Sequence, residues 1–239
     1  MADKLDGRVV LITGATGALG SAVAGEFART EARLALTGRS ESKLERLSAE
    51  LGLPAERVLA VAADVTQAEG VEGLVATVVA RLDRVDALLN TVGGWGGGKP
   101  VGETAVEEWE RMLTLNLRSA FLLSRAVLPG MLEAGWGRIL HVSSRSAVAP
   151  QARRVGYTVS KMGVIALTEV IAAEVKGSGV TANVILPSII DTPANRKAMP
   201  KADPRKWVTP AHIASTMRFL CSDAGAAING ARVPVYGAV

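Results

Sequence analysis

Short runs of aliphatic and β-branched residues alternate along this chain with longer segments whose apolar positions recur every three or four residues. The short runs predict strands at Arg8–Thr13, Arg33–Thr37, Val58–Ala62, Ala87–Asn90, Arg138–Val142, Thr181–Leu186 and Arg232–Val235. Between them the spacing is helical, as in Leu74, Val75, Val78, Val79 and Leu82. This alternation predicts an α/β fold: one doubly wound, seven-stranded parallel sheet with helices on both faces. In such a sheet ligands bind outside the carboxyl ends of the strands, where the winding reverses.

Composition refines the picture. Of 239 residues, 49% are hydrophobic but only 4% aromatic, so the core is expected to be built from Ala, Val, Leu and Ile. That length suits a single domain spanning residues 1–239, with no linker, charge block or internal repeat to divide it. The N-terminal apolar run, Val9 to Ile12, is too short for a signal segment. Other apolar stretches meet Arg, Glu or Asp before spanning length, so no membrane association is expected. Lone Cys221 cannot form an internal disulfide, which fits a reducing cytoplasm; it reads as a small buried apolar group. The net charge of +4 comes from interleaved acids and bases, as in Arg39 to Arg46. Without a basic run carrying spaced aromatics, nucleic-acid binding is not expected, and neither is a metal site.

Three patterns carry chemistry. The first is Thr13-Gly-Ala-Thr-Gly-Ala-Leu-Gly20, directly after the first strand. A phosphate approaches backbone closely only where side chains are small, and the following helix start offers unpaired N–H groups. Gly14 and Gly20, with Ala18 between, meet both conditions for a dinucleotide. The second is the end of the second strand, where Gly38 and Arg39 stand in place of a carboxylate. A ribose-binding acid is absent there and a guanidinium is available to a 2′-phosphate, which favours NADP(H) while leaving NAD(H) open. The third is Tyr157 with Lys161, one helical turn apart and therefore on one face, with Ser144 just past the fifth strand. An ammonium near a phenol lowers its pKa by favouring phenolate, and a serine hydroxyl beside them can hold a carbonyl oxygen.

Taken with Asp64-Val65, Asn90-Thr-Val-Gly93, Asn116 and Pro187-Ser-Ile-Ile-Asp-Thr192, these patterns resemble the short-chain dehydrogenases/reductases over essentially the whole chain. The resemblance implies a Rossmann fold and a nicotinamide cofactor. It makes Tyr157 the general acid in reduction and gives Ser144 the substrate oxygen. Lys161 would lower the Tyr157 pKa and bind the nicotinamide ribose, while Asn116 would hold a helix kink and a relay water. Gly14, Thr16, Ala18, Leu19, Gly20, Arg39, Asp64, Val65 and Asn90 would hold the cofactor with Tyr157 and Lys161, and Pro187, Ile190 and Thr192 would line its nicotinamide side. Two departures, Thr91-Val92 for the family's Asn-Ala and Ser188 for its Gly, are expected to alter packing without loss of cofactor binding. The family also implies a homotetramer packed through its long helices and C-terminal segment.

Substrate information is expected in two loops. Gly93 to Lys99 carries Trp95 among five glycines, as a substrate platform or a plug over the cofactor. Ser188 to Pro210 has the length and prolines of a lid, with a basic rim of Arg196, Lys197, Lys201, Arg205 and Lys206 and nearby Arg145, Arg153 and Arg154. Overall the chain looks like the 3-oxoacyl carrier-protein reductases, yet Gly135 and Gly177 stand about where those enzymes often place carrier-docking arginines. The two loops look like those of dihydropteridine reductases, which lack the serine. The expected activity is NADPH-dependent reduction of a small carbonyl, a 3-oxoacyl thioester or similar ketone. The alternatives are reduction of a planar pteridine or quinonoid ring, and a non-catalytic NADP(H) sensor or scaffold.

Overall fold

A computed structural model describes residues 5–238. Each apolar run is a strand: β1 Val9–Thr13, β2 Arg33–Gly38, β3 Val58–Ala62, β4 Ala87–Asn90, β5 Gly137–Val142, β6 Val180–Pro187 and β7 Arg232–Val235. The helices are α1 Ala18–Ala28, α2 Glu41–Leu51, α3 Ala68–Leu82, α4 Val106–Met112, α5 Ser119–Glu133, α6 Arg145–Val148, α7 Val155–Glu174, α8 Pro193–Ala198 and α9 Pro210–Cys221. All strands are parallel, in the order β3-β2-β1-β4-β5-β6-β7, so the winding reverses between β1 and β4. This is a single-domain Rossmann fold. Arg8, expected in β1, falls just before it: its N–H donates to the Leu5 carbonyl and closes the preceding turn, while its carbonyl accepts from the Arg33 N–H. β6 runs on to Pro187, which pairs in register with Val235 at its last position, where proline's missing donor costs little.

Side-chain alternation divides the core between the two faces of the sheet. Val10, Ile12, Leu34, Leu36, Leu89 and Leu140 pack with Val23 and Phe27 of α1 and Ile213 and Met217 of α9. Val9, Leu11, Leu88 and Ile139 pack on the other face with Leu74 and Val78 of α3, Leu123 and Val127 of α5, and Ile171 of α7. Of the predicted α3 stripe, Leu74, Val78 and Leu82 are buried, while Val79 faces outward. The 20-residue α7 is long and apolar enough to cross a membrane by length and composition, but half of that window is buried inside the fold. Its composition is that of a core helix.

The register brings the functional ends together. Thr13 pairs with both Thr37 and Asn90, and Asn90 with His141, so the carboxyl ends of β1, β2, β4 and β5 share one level. Between α4 and α5 the helix widens into a π segment, Leu113–Arg118, that contains Asn116. Such widenings recur at functional sites because they re-aim a side chain without ending the helix.

Candidate active site

The glycine turn is built as the sequence predicts. Gly14 has φ +68°, and a Cβ there would lie 3.1 Å from Thr91 Oγ1 and 3.2 Å from the Val92 nitrogen. At Gly20 a Cβ would lie 2.1 Å from the Gly14 carbonyl oxygen, so the helix closes onto the turn only without a side chain. α1 has no side-chain cap and no acid in its first turn. Its leading N–H groups, those of Ala18, Leu19 and Gly20, are therefore open to an anion at the positive end of the helix dipole. Thr91, one of the two departures, donates from its hydroxyl to the Thr13 carbonyl at 2.7 Å and so anchors this turn.

At the end of β2, a Cβ on Gly38 would lie 3.1 Å from Thr16 Oγ1, which places Thr16 against the end of that strand. Arg39 is exposed and makes no hydrogen bond among the described residues. At the end of β3, the Thr66 hydroxyl and N–H both donate to Asp64 Oδ1, at 2.7 and 3.0 Å. These two bonds hold the Asp64 carboxyl below its usual pKa, with a smaller contribution from Arg39, and Val65 is buried beside it.

Asn90 ends β4 in a buried network. Its Oδ1 accepts from Thr13 Oγ1 at 2.8 Å and from the Val92 N–H at 3.1 Å, so its Nδ2 must face His141 Nδ1, at 3.2 Å. The His141 proton then sits on Nε2, 2.9 Å from Ser124 Oγ, whose own proton goes to the Ala120 carbonyl. Burial, and secondarily the charge of Lys161, lowers the His141 pKa to about 3, so the ring is neutral. His141 escapes sequence reading because a lone histidine in an apolar run carries no pattern.

Ser144, Tyr157, Lys161 and Asn116 converge where β5 ends and α7 begins. Ser144 is the N-cap of α6, and its Oγ accepts from the Ser146 N–H at 3.1 Å, leaving the hydroxyl proton free to point elsewhere. Burial pushes the Tyr157 phenol above its ordinary pKa, while the neighbouring Ser144 hydroxyl and the charge of Arg154 pull it down. The depression expected from Lys161 does not appear: its Nζ donates to the Val142 carbonyl at 2.8 Å, and burial lowers its own pKa to about 8. Asn116 lies in the π segment, consistent with the expected kink. Its Oδ1 accepts from the Gly94 N–H at 2.9 Å, and its Nδ2 donates to the Gly94 carbonyl at 3.1 Å and to Ser160 Oγ at 3.0 Å. Asn116 therefore clamps the Gly93–Lys99 loop to α7. Ser160, whose hydroxyl in turn donates to the Tyr157 carbonyl, is the partner that chain spacing does not announce.

That loop is closely packed. A Cβ at Gly93 would lie 2.8 Å from Lys161 Nζ, at Gly94 2.7 Å from Leu115, and at Gly97 2.6 Å from the Arg153 carbonyl oxygen. The Gly98 N–H donates to that carbonyl at 2.7 Å. Trp95 is left 59% exposed on this fixed support, which favours a platform over a plug. On the other side, Pro187 ends β6, and Thr192 caps α8 by accepting from the Asn195 N–H at 3.1 Å. Asn195 Nδ2 donates to the Ile190 carbonyl at 2.8 Å. Ser188, the second departure, donates to the Tyr236 carbonyl at 2.6 Å and ties this segment to the C-terminal strand. Two of the five cations of the basic rim are spent in ion pairs, Arg196 with Asp191 and Arg205 with Asp203.

The chain matches the short chain dehydrogenase family over residues 8–203, and it belongs to that family. It is 36% identical to D-threitol dehydrogenase of Mycolicibacterium smegmatis, over 98% of this chain and 93% of that one. It is 32% identical to a 3-oxoacyl-acyl-carrier-protein reductase of Vibrio cholerae, over 98% of each. Among solved structures, a short-chain type dehydrogenase/reductase from Mycobacterium ulcerans superposes with a TM-score of 0.92 at 25% identity, over 100% of this chain and 90% of that one. The protein is therefore an oxidoreductase of the carbonyl–alcohol class that uses a nicotinamide cofactor.

Proposed function

We propose that the protein is an NADP(H)-dependent reductase of a small ketone, most simply a 3-oxoacyl thioester, with oxidation of the matching secondary alcohol as the reverse reaction. The observation that carries this reading is the placing of the Ser144 hydroxyl next to the Tyr157 phenol, whose pKa it draws down against burial, at the carboxyl end of the sheet. The cofactor fits the residues present. Gly14 and Gly20 leave room for its phosphates, the α1 N-terminus would supply donors, and Arg39 would be the residue to meet a 2′-phosphate. Asp64, Val65 and Asn90 would border the adenosine half, and Pro187, Ile190 and Thr192 the nicotinamide half.

A nicotinamide held there would supply the hydride that the carbonyl carbon accepts, or take it back in the reverse direction. Ser144 donates its free proton to the carbonyl oxygen and draws it toward the phenol. Tyr157, like any phenol protonated at neutral pH and held more firmly so by burial, hands its proton to that oxygen as negative charge develops. Lys161 opposes the charge left on the phenolate, and Asn116 fixes the loop that closes the site. Trp95 offers its exposed face to the remainder of the substrate, and it is the one feature that favours a planar ring as a second reading.

Arg39→Asp tests the cofactor assignment. The ratio of kcat/KM for NADPH over NADH should fall about 100-fold, since a charge-assisted phosphate contact is replaced by repulsion. An unchanged ratio would remove Arg39 from cofactor selection. Ser144→Ala tests the catalytic assignment: turnover of a ketone should drop about 100-fold or more with cofactor affinity retained.

A further inference from the structure

The sheet register sets Thr13, Asn90 and His141 side by side on β1, β4 and β5. Alternation along each strand turns all three side chains toward the face covered by α5, where Ser124 closes the row. All four residues are buried, so their polar atoms depend on one another rather than on water. The two ends of the row are fixed. The Val92 N–H can only donate, and it reaches Asn90 Oδ1 at 3.1 Å; the Ala120 carbonyl can only accept, from Ser124 Oγ at 2.8 Å. One order of donors joins these ends: Asn90 Nδ2 donates to His141 Nδ1 at 3.2 Å, and His141 Nε2 donates to Ser124 Oγ at 2.9 Å. A neutral imidazole meets both demands, accepting at one edge and donating from the other. Burial and the charge of Lys161 keep it neutral.

What this order controls is the Asn90 amide. With Oδ1 turned to the Thr13 hydroxyl at 2.8 Å and to the Val92 N–H, it ties the end of β1 to the turn after β4. That turn in turn backs the glycine segment, since a Cβ on Gly14 would lie 3.2 Å from the Val92 nitrogen. Reversed, the amide would set its own N–H groups against the Val92 N–H, donor against donor, and the tie would be lost. We propose that His141 is a positioning residue for the cofactor: it orients the Asn90 amide, which holds the glycine turn in the shape that a dinucleotide needs. At 0% exposure His141 cannot itself touch a ligand, so it acts through Asn90 alone. The proposal rests on the cofactor reading above and extends it to a side chain one layer behind the site.

Replacements of His141 separate this role from plain packing, because asparagine carries its amide near the place of Nδ1 and glutamine near that of Nε2. Fluorescence titration of the full chain with NADPH is set beside the melting temperature and kcat at saturating NADPH. His141→Asn keeps an acceptor for Asn90 and should bind NADPH within about twofold of wild type, although loss of the Ser124 contact lowers its melting temperature. His141→Gln and His141→Leu leave Asn90 Nδ2 without an acceptor; both should bind about tenfold or more weakly, with kcat within about threefold. Ser124→Ala removes the partner that sets the imidazole proton and should weaken binding about threefold or more. Being the smaller change, it keeps the test decisive if the His141 variants fail to fold. Equal affinity of the Asn and Gln variants, affinity that only follows melting temperature across the series, or unchanged affinity in Ser124→Ala would each overturn the role of His141. Wild type that binds neither NADPH nor NADH would overturn the cofactor reading beneath it as well.

Discussion

The Lys161 ammonium sits buried against the Val142 carbonyl, and burial brings its pKa from 10.5 to about 8. A cation whose pKa is depressed in the folded state costs stability while it is charged. Below pH 8 that cost is on the order of 3 kcal/mol, and it fades as pH rises from about 8 toward about 10.5. Replacing Lys161 with Met, of similar volume, removes the charge and forfeits one hydrogen bond worth roughly 1 kcal/mol. Lys161→Met is therefore expected to abolish turnover while its melting temperature at pH 7 matches or exceeds wild type. Thermal unfolding at pH 7 and pH 10 checks this, because the advantage should shrink at the higher pH. A variant markedly less stable at pH 7 would show that the ammonium is a structural support. By the same titration, ketone reduction should decline above about pH 8 as Lys161 loses its charge.

At the level of elements, the Gly93–Lys99 loop separates support from contact. Gly97 has φ +152° and no room for a Cβ against Arg153, so Gly97→Ala should cost about 2 kcal/mol and lower the melting temperature by roughly 4–8 °C. Trp95→Ala removes an exposed ring and should change stability by less than about 0.5 kcal/mol, while raising KM for substrate several-fold. Equal effects of the two on stability would mean that Trp95 is part of the packing. The strands were legible to within a residue or two because each is an apolar run bounded by polar or glycine-containing turns. The loop was not, because its packing comes from Asn116, Leu115 and Arg153, far along the chain. The Tyr157–Lys161 pair was legible through helical periodicity. Where Lys161 points was not, since its partner is a backbone carbonyl and carries no sequence signal.

For the whole molecule, α5 and α7 cover one sheet face together, yet their outer sides carry exposed Phe121, Leu132, Val159, Met162 and Val170. We propose that a second copy of the chain covers this side, in keeping with the family's expected tetramer. Sedimentation should give an oligomer for wild type and a smaller species for Phe121→Glu/Val170→Glu; a monomeric wild type would refute it. The central claim is that one site couples cofactor, serine and tyrosine into a carbonyl reductase. NADPH oxidation in the presence of acetoacetyl-CoA or a small ketone, compared between wild type and Tyr157→Phe, tests it most directly. The account predicts wild-type turnover that falls about 1000-fold or more in the variant, with NADPH affinity within about twofold. Turnover that survives Tyr157→Phe would contradict it, because the proton would then come from a group other than the one this fold presents.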